Sequence, residues 1–262
     1  MNNEELAEIV RQRALALGYE KCGIIKVEEV LDYAEALSKR IEEYPTDLPL
    51  LEQLSAFSEI QAQVPWARSV IVLTRPYGKY IIPEGLKEHF ASVYLTSETH
   101  VDGSKDNADS LAFGESLANL DIRAITDRKH GLTAMRWAAQ KAGVGIIRKN
   151  NFLYTECGSW VYLSVWLIDR PLELKENCSL RPCPENCRRC IEACPTSALQ
   201  KPYSTRPTAW VSFITGFDES DLTAHPASRA MGKWIYGCDA CQTACPHNLT
   251  SDRETEEYPD LR

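Results

Sequence analysis

The run Cys183-Pro184-Glu185-Asn186-Cys187-Arg188-Arg189-Cys190-Ile191-Glu192-Ala193-Cys194-Pro195 decides how the C-terminal third is read. It is answered further on by Cys238-Asp239-Ala240-Cys241-Gln242-Thr243-Ala244-Cys245-Pro246. Both share the order C-x2-C-x3-C-P. Two residues between thiols suit a tight loop that offers adjacent corners of one metal cage. Three residues and a proline then carry the chain away into a short helix. Of the 10 cysteines, only Cys22 and Cys157 lie outside the window from Cys178 to Cys245. Clustered thiols in a reducing compartment are metal or redox ligands before they are disulfides.

The spacing matches two-cluster ferredoxins, where the thiolate before proline crosses to the other cluster. It assigns Cys183, Cys187, Cys190 and Cys245 to one 4Fe-4S cluster, and Cys194, Cys238 and Cys241 to the other, which is left one ligand short. Two four-thiolate zinc sites are the competing assignment. Zinc ribbons, however, pair two separated C-x2-C elements and have no need of the repeated third cysteine and proline. Cys22, among Gly23-Ile24-Ile25, reads as a buried inert thiol, and Cys157 as a turn residue.

Outward from the cysteines, the first two-thirds reads as α/β. Helices are predicted over 4–17, 28–43, 48–62, 111–120 and 132–141, and strands over 22–27, 69–74 and 122–126. A hairpin of 152–155 with 160–168 is predicted to turn around Cys157-Gly158-Ser159. Residues 96–109 are polar and aperiodic, as in a loop or lid or, equally, a solvated connection. The organisation expected is an α/β domain over 1–174, a two-cluster module over 175–250 and a solvated acidic tail over 251–262.

The 262 residues carry 29 Lys plus Arg against 37 Asp plus Glu, a net of −8. That balance argues against a surface built for phosphate backbones, and hence against a charge-driven nucleic-acid binder. Glu4, Glu5 and Glu8 stand where a leader would be basic and apolar. The longest apolar stretch, Trp160 to Ile168, is under half a membrane span. A cytoplasmic protein with no membrane partner is the expectation.

A second stretch, Ala142-Gly143-Val144-Gly145-Ile146-Ile147-Arg148-Lys149-Asn150-Asn151-Phe152-Leu153, is followed by Gly158-Ser159-Trp160 and Ile168-Asp169. With Tyr236-Gly237-Cys238-Asp239-Ala240-Cys241-Gln242 it resembles the epoxyqueuosine reductases and their relatives, the reductive dehalogenases. The resemblance runs from about residue 64 to 248. It implies a nitroreductase-like α/β core with a C-terminal ferredoxin-like double-cluster module, and a cobalamin bound between them. Electrons would pass from a ferredoxin- or flavodoxin-type donor through the clusters to the corrinoid, which would reduce a small-molecule substrate. Gly143, Gly145, Lys149 and Asn150 are implied as cofactor-binding residues.

Three departures accompany the resemblance. The chain has no C-terminal helical-repeat extension of the kind expected for tRNA contact, and with its net of −8 tRNA is not expected as a partner. Trp210, in Trp210-Val211-Ser212-Phe213, stands where the family carries a further cysteine, so Cys178 is expected to supply the missing thiolate, directly or by replacing Cys183. The family's proton-donating Asp has its nearest match in Asp127, with His130 beside it as a second candidate; a surface loop is the alternative for both. A Tyr-His signature is not found, and His100 is a poor stand-in. A reductase is therefore the leading expectation, and a noncatalytic electron carrier serving another corrinoid protein is the alternative.

Overall fold

The computed structural model describes residues 2–96, 103–126, 132–216, 222, 225–249 and 255–257. Asp127, His130 and His100 lie outside the described residues. The chain divides into two compact units: Met1–Pro76, Ser97–Ile146 and Tyr162–Leu180 form the first, and Tyr77–Thr96, Ile147–Val161 and Arg181–Arg262 the second. The cysteine-rich unit thus also draws on two segments from before residue 175.

The first unit holds α1 (Asn3–Ala16), β1 (Lys21–Lys26), α2 (Tyr33–Glu43), α3 (Leu48–Gln53), α4 (Ile60–Gln63), β2 (Ser69–Pro76), α6 (Lys105–Ala118), β3 (Ala124–Thr126) and α7 (Met135–Lys141). The α1 start is a capping box: Asn2 accepts the Glu5 N–H at 2.8 Å while Glu5 accepts the Asn2 N–H at 3.1 Å. Its Leu6, Ala7, Val10 and Ala14 are buried one turn apart. The four-stranded sheet runs β1-β2-β6-β3, with β6 spanning Val161–Ile168. β1 pairs antiparallel with β2, as β3 does with β6. Cys22, Ile24, Ile71, Leu73, Phe113 and Ile168 are fully buried in its core. Burial pushes the Cys22 thiol far up, as the inert reading expected.

Several predicted elements differ. The helix over 28–43 breaks into a 3-10 turn at Val27–Val30 and then α2, and that over 48–62 into α3, a 3-10 turn and α4. The expected hairpin does not form. β5 (Leu153–Tyr154) pairs with β4 (Ile146–Ile147), while β6 joins the main sheet. Cys157 sits instead in a tight turn closed by Thr155 and Gly158, whose N–H groups reach each other's carbonyls at 3.0 Å. The polar 96–109 stretch contains the start of α6, capped by Ser104, which accepts the Asn107 N–H at 3.1 Å.

Polarity at that start has a partner. Arg75 Nη1 lies 2.7 Å from both Asp106 and Asp109, all three with little side-chain exposure, and its guanidinium stacks 4.5 Å from the Tyr19 ring centroid. Arg75→Met leaves two shielded carboxylates facing each other, so a loss of about 3–5 kcal/mol is expected by urea denaturation at neutral pH. Burial opposes ionisation of Asp109, yet hydrogen bonds from Lys105 and Arg75 hold its carboxyl below the usual range. Its stabilising contribution is therefore present above about pH 4 and fades on acidification through the folded-state value, so the penalty of Arg75→Met shrinks in acid.

The second unit holds α5 (Ser92–Thr96), β5, α8 (Arg189–Glu192), β7 (Leu199–Lys201), β8 (Ser204–Thr205), α9 (Val211–Gly216), α10 (Ser228–Met231) and α11 (Ala240–Thr243). Its described helices are short, of four to six residues. The described part of the tail is exposed but bonded: Ile81 N–H donates to the Glu256 carbonyl at 2.8 Å, and Lys79 pairs with the Glu256 carboxylate at 2.7 Å.

Candidate metal centre

Both cysteine runs are held by neighbours that spacing alone did not reveal. Asp239 Oδ2 accepts the Ser92 N–H and hydroxyl, each at 2.7 Å. Gly237, at φ +70, brings its backbone so close that a Cβ there would sit 2.4 Å from the Tyr94 ring and 2.7 Å from Ala91. The Tyr-Gly-Cys-Asp run is thus an anchoring device on segment 89–94. Buried Ser159 donates its hydroxyl to Gln242 at 2.8 Å and its N–H to Asn248 Oδ1 at 2.8 Å; Asn248 Nδ2 returns to Ser159 Oγ and to the Gln242 carbonyl. Gly-Ser and Cys-Gln-x-x-Cys-Pro-His-Asn, distant in sequence, form one buried network.

Four thiols, Cys183, Cys187, Cys190 and Cys245, line one small cavity together with Arg148, Lys149, Asn150, Arg189, Pro246 and His247. Cys190 is pushed up to about 11, first by burial and then by Cys245, Cys183 and Cys187. The other three thiols act on one another: burial and then Cys238 and Cys194 raise Cys241, and burial pushes Cys238 up to about 12, with Asp239 and Cys194 adding to it. Leu199 N–H donates to Cys194 Sγ at 3.5 Å and Ala240 N–H to Cys238 Sγ at 3.4 Å. Thiols this shielded stay protonated unless a cation takes the proton's place, which suits metal capture. Among the described residues no three His, Cys, Asp or Glu side chains converge as they would on one bare ion. The first set surrounds a space instead.

The residues read as cofactor-binding have other work. Gly143, at φ +73, follows α7, and its N–H and that of Val144 reach back to the Gln140 and Ala139 carbonyls, a helix-ending motif. A Cβ on Gly143 would lie 2.1 Å from the Glu176 carbonyl. Gly145 is buried. Lys149, 7% exposed, donates its ammonium to the carbonyls of Pro184 (2.8 Å), Glu185 (2.5 Å) and Cys187 (3.1 Å). Asn150 Nδ2 donates to the Tyr154 hydroxyl at 2.8 Å and reaches the Cys241 carbonyl at 3.5 Å. Lys149 and Asn150 thus grip the two cysteine runs.

Cys178 falls in the first compact unit, half-buried, whereas the other cysteines of the window fall in the second. Trp210 is 40% exposed at the start of α9. Trp160 and Trp166 are core residues, packed edge-on against Tyr77 and Phe113. His247 lines the cavity, its imidazole kept below the usual value by burial and by Arg148.

An α/β unit and a loop-rich unit carrying two cysteine sets are the marks of an iron–sulfur protein of the double-cluster class, and residues 183–248 match the 4Fe-4S double cluster binding domain. Within that class the chain is similar to the epoxyqueuosine reductases. It is 35% identical over 125 residues to the one of Prochlorococcus marinus (strain NATL2A), covering 47% of this chain and 39% of that protein. To that of Bacillus subtilis (strain 168) it is 27% identical over 286 residues, covering 100% of this chain and 69% of the relative. The chain thus spans well under half to about two-thirds of these relatives' length.

A crystal structure of an epoxyqueuosine reductase with an epoxyqueuosine-modified tRNA-Tyr stem loop superposes with a TM-score of 0.79 at 25% identity, over 99% of this chain and 70% of that one. A catabolic reductive dehalogenase shares the fold at a TM-score of 0.59 and 13% identity, over 94% of this chain and 32% of its own. The stem-loop complex overturns the expectation drawn from charge. A net of −8 sums the whole surface, whereas a stem loop meets one patch of it. Among the described residues no helix is long and apolar enough to cross a membrane.

Proposed function

We propose that this chain is an iron–sulfur reductase acting on an epoxyqueuosine-type nucleoside in tRNA. Two 4Fe-4S clusters would be held by Cys183, Cys187, Cys190 and Cys245 and by Cys194, Cys238 and Cys241. The observation that carries the reading is the gathering of four thiols from two distant runs around one cavity, gripped by Lys149. When bound, such clusters supply one-electron transfer at potentials set by nearby charge, hydrogen bonds and exposure. The protein's own part is to orient the thiols, shield them from water and aim backbone N–H groups at the sulfurs of Cys194 and Cys238.

A corrinoid as the site of the final reduction is the finer part of this proposal. It is supported by the fold likeness to a reductive dehalogenase whose structure suggests a mechanism for B12-dependent dehalogenation. Gly143, Gly145, Lys149 and Asn150 are the residues that would hold it, and no step is assigned through it. The net reaction takes two electrons and two protons, converting the epoxide to an alkene and water. The test is anaerobic incubation of the reconstituted chain, cobalamin and a low-potential donor with a stem loop carrying epoxyqueuosine. A nucleoside lighter by one oxygen is expected in mass spectrometry. An unchanged nucleoside, with both clusters present and reducible, rejects the activity in favour of an electron carrier.

A further inference from the structure

Arg148 is 2% exposed, yet no carboxylate among the described residues neutralises it. Its Nη1 donates to Cys183 Sγ at 3.8 Å, its guanidinium lies 5.1 Å from the Tyr154 ring centroid, and its buried Nε has no hydrogen-bond partner. The backbone holds it there: Arg148 N–H donates to the Phe152 carbonyl at 3.0 Å, and Asn151 N–H to the Arg148 carbonyl at 2.8 Å. A dry cation without a counter-ion is costly and persists where an anion completes the site. Four thiolates around an iron–sulfur cage are such an anion, and Arg148 lines the cavity they surround.

We infer that Arg148 is the countercharge of the cluster on Cys183, Cys187, Cys190 and Cys245 and raises that cluster's reduction potential. Reduction adds negative charge to the cage, and a buried guanidinium against one of its sulfurs favours that state. The other cations at the cavity are placed differently. The Lys149 ammonium is turned onto three carbonyls, and Arg189 is exposed, where water and salt screen it. This inference rests on the cluster assignment proposed above, and its test separates the two.

The experiment is an anaerobic redox titration of the full chain followed by electron paramagnetic resonance, with iron and sulfide measured on each sample. The first cluster is identified as the signal missing in Cys245→Ala. Arg148→Gln is expected to lower that cluster's reduction equilibrium about tenfold or more, 59 mV for a one-electron couple. Arg148→Lys, which keeps the charge, recovers most of the shift, and Arg189→Gln moves it less than Arg148→Gln does. Unchanged potentials in Arg148→Gln with both clusters present overturn the inference, as does a shift confined to the second cluster. Should Arg148→Gln assemble no first cluster, Arg148→Lys decides: a retained signal supports a charge role, and its loss from a folded protein rejects it. Absence of the first signal from the unmodified chain rejects the assignment beneath the inference instead.

Discussion

Cys245→Ala is expected to strip the iron of the first cysteine run, although the residue lies in the second. Cys245 lines the same cavity as Cys183, Cys187 and Cys190. It is 7% exposed, and after burial it is the next cause that pushes the neighbouring Tyr154 hydroxyl up. Removing that thiolate leaves three ligands on a cage that takes four. About half of the iron should be lost, and the spectrum that survives should match that of Cys187→Ala. Cys194→Ala should spare the signal these two lose. If Cys245→Ala resembled Cys241→Ala instead, the runs would ligate separately and the crossing would be wrong.

Lys149→Met is expected to release the 183–187 loop. The ammonium is buried and donates to three carbonyls of that loop, at 2.8, 2.5 and 3.1 Å. Hydrogen bonds to a charged group contribute about 1.5–3 kcal/mol each and do not sum independently. A loss of about 3 kcal/mol, roughly a hundredfold in the closed-to-open ratio of the loop, is a fair expectation. Iron chelation by a strong chelator under anaerobic conditions should then bleach the first cluster's absorbance far faster than in the unmodified chain. The second cluster should bleach at its original rate, because no bond from Lys149 reaches it. Equal rates for variant and parent would show that the clamp does not hold the cluster loop.

The cysteine sets were legible because cluster ligation imposes short fixed spacings, and spacing is what a sequence displays directly. Helix α1 was legible for a similar reason, since Leu6, Val10 and Ala14 repeat with the helical period. The grip of Lys149 and Asn150 was not, although both residues stood out. Their partners are backbone carbonyls of distant loops, and a carbonyl leaves no mark on residue identity. The same holds for the Ser159–Gln242–Asn248 network, which joins residues far apart in the chain. Arg148 was passed over because a lone arginine is ordinary; only burial without a carboxylate gives it meaning. The hairpin failed because the 153–154 strand finds Ile146–Ile147 as its partner before β6 is reached. Charge misled on tRNA because a sum over the chain carries no information about where charges lie.

Iron, acid-labile sulfide, zinc and cobalt per chain, measured after anaerobic purification and incubation with cobalamin followed by desalting, test the central claim most directly. About eight irons with matching sulfide and little zinc is the predicted result for two four-iron clusters, with cobalt retained if the corrinoid belongs to the chain. Zinc near two equivalents with neither iron nor sulfide would contradict it and turn the same thiols into structural metal sites.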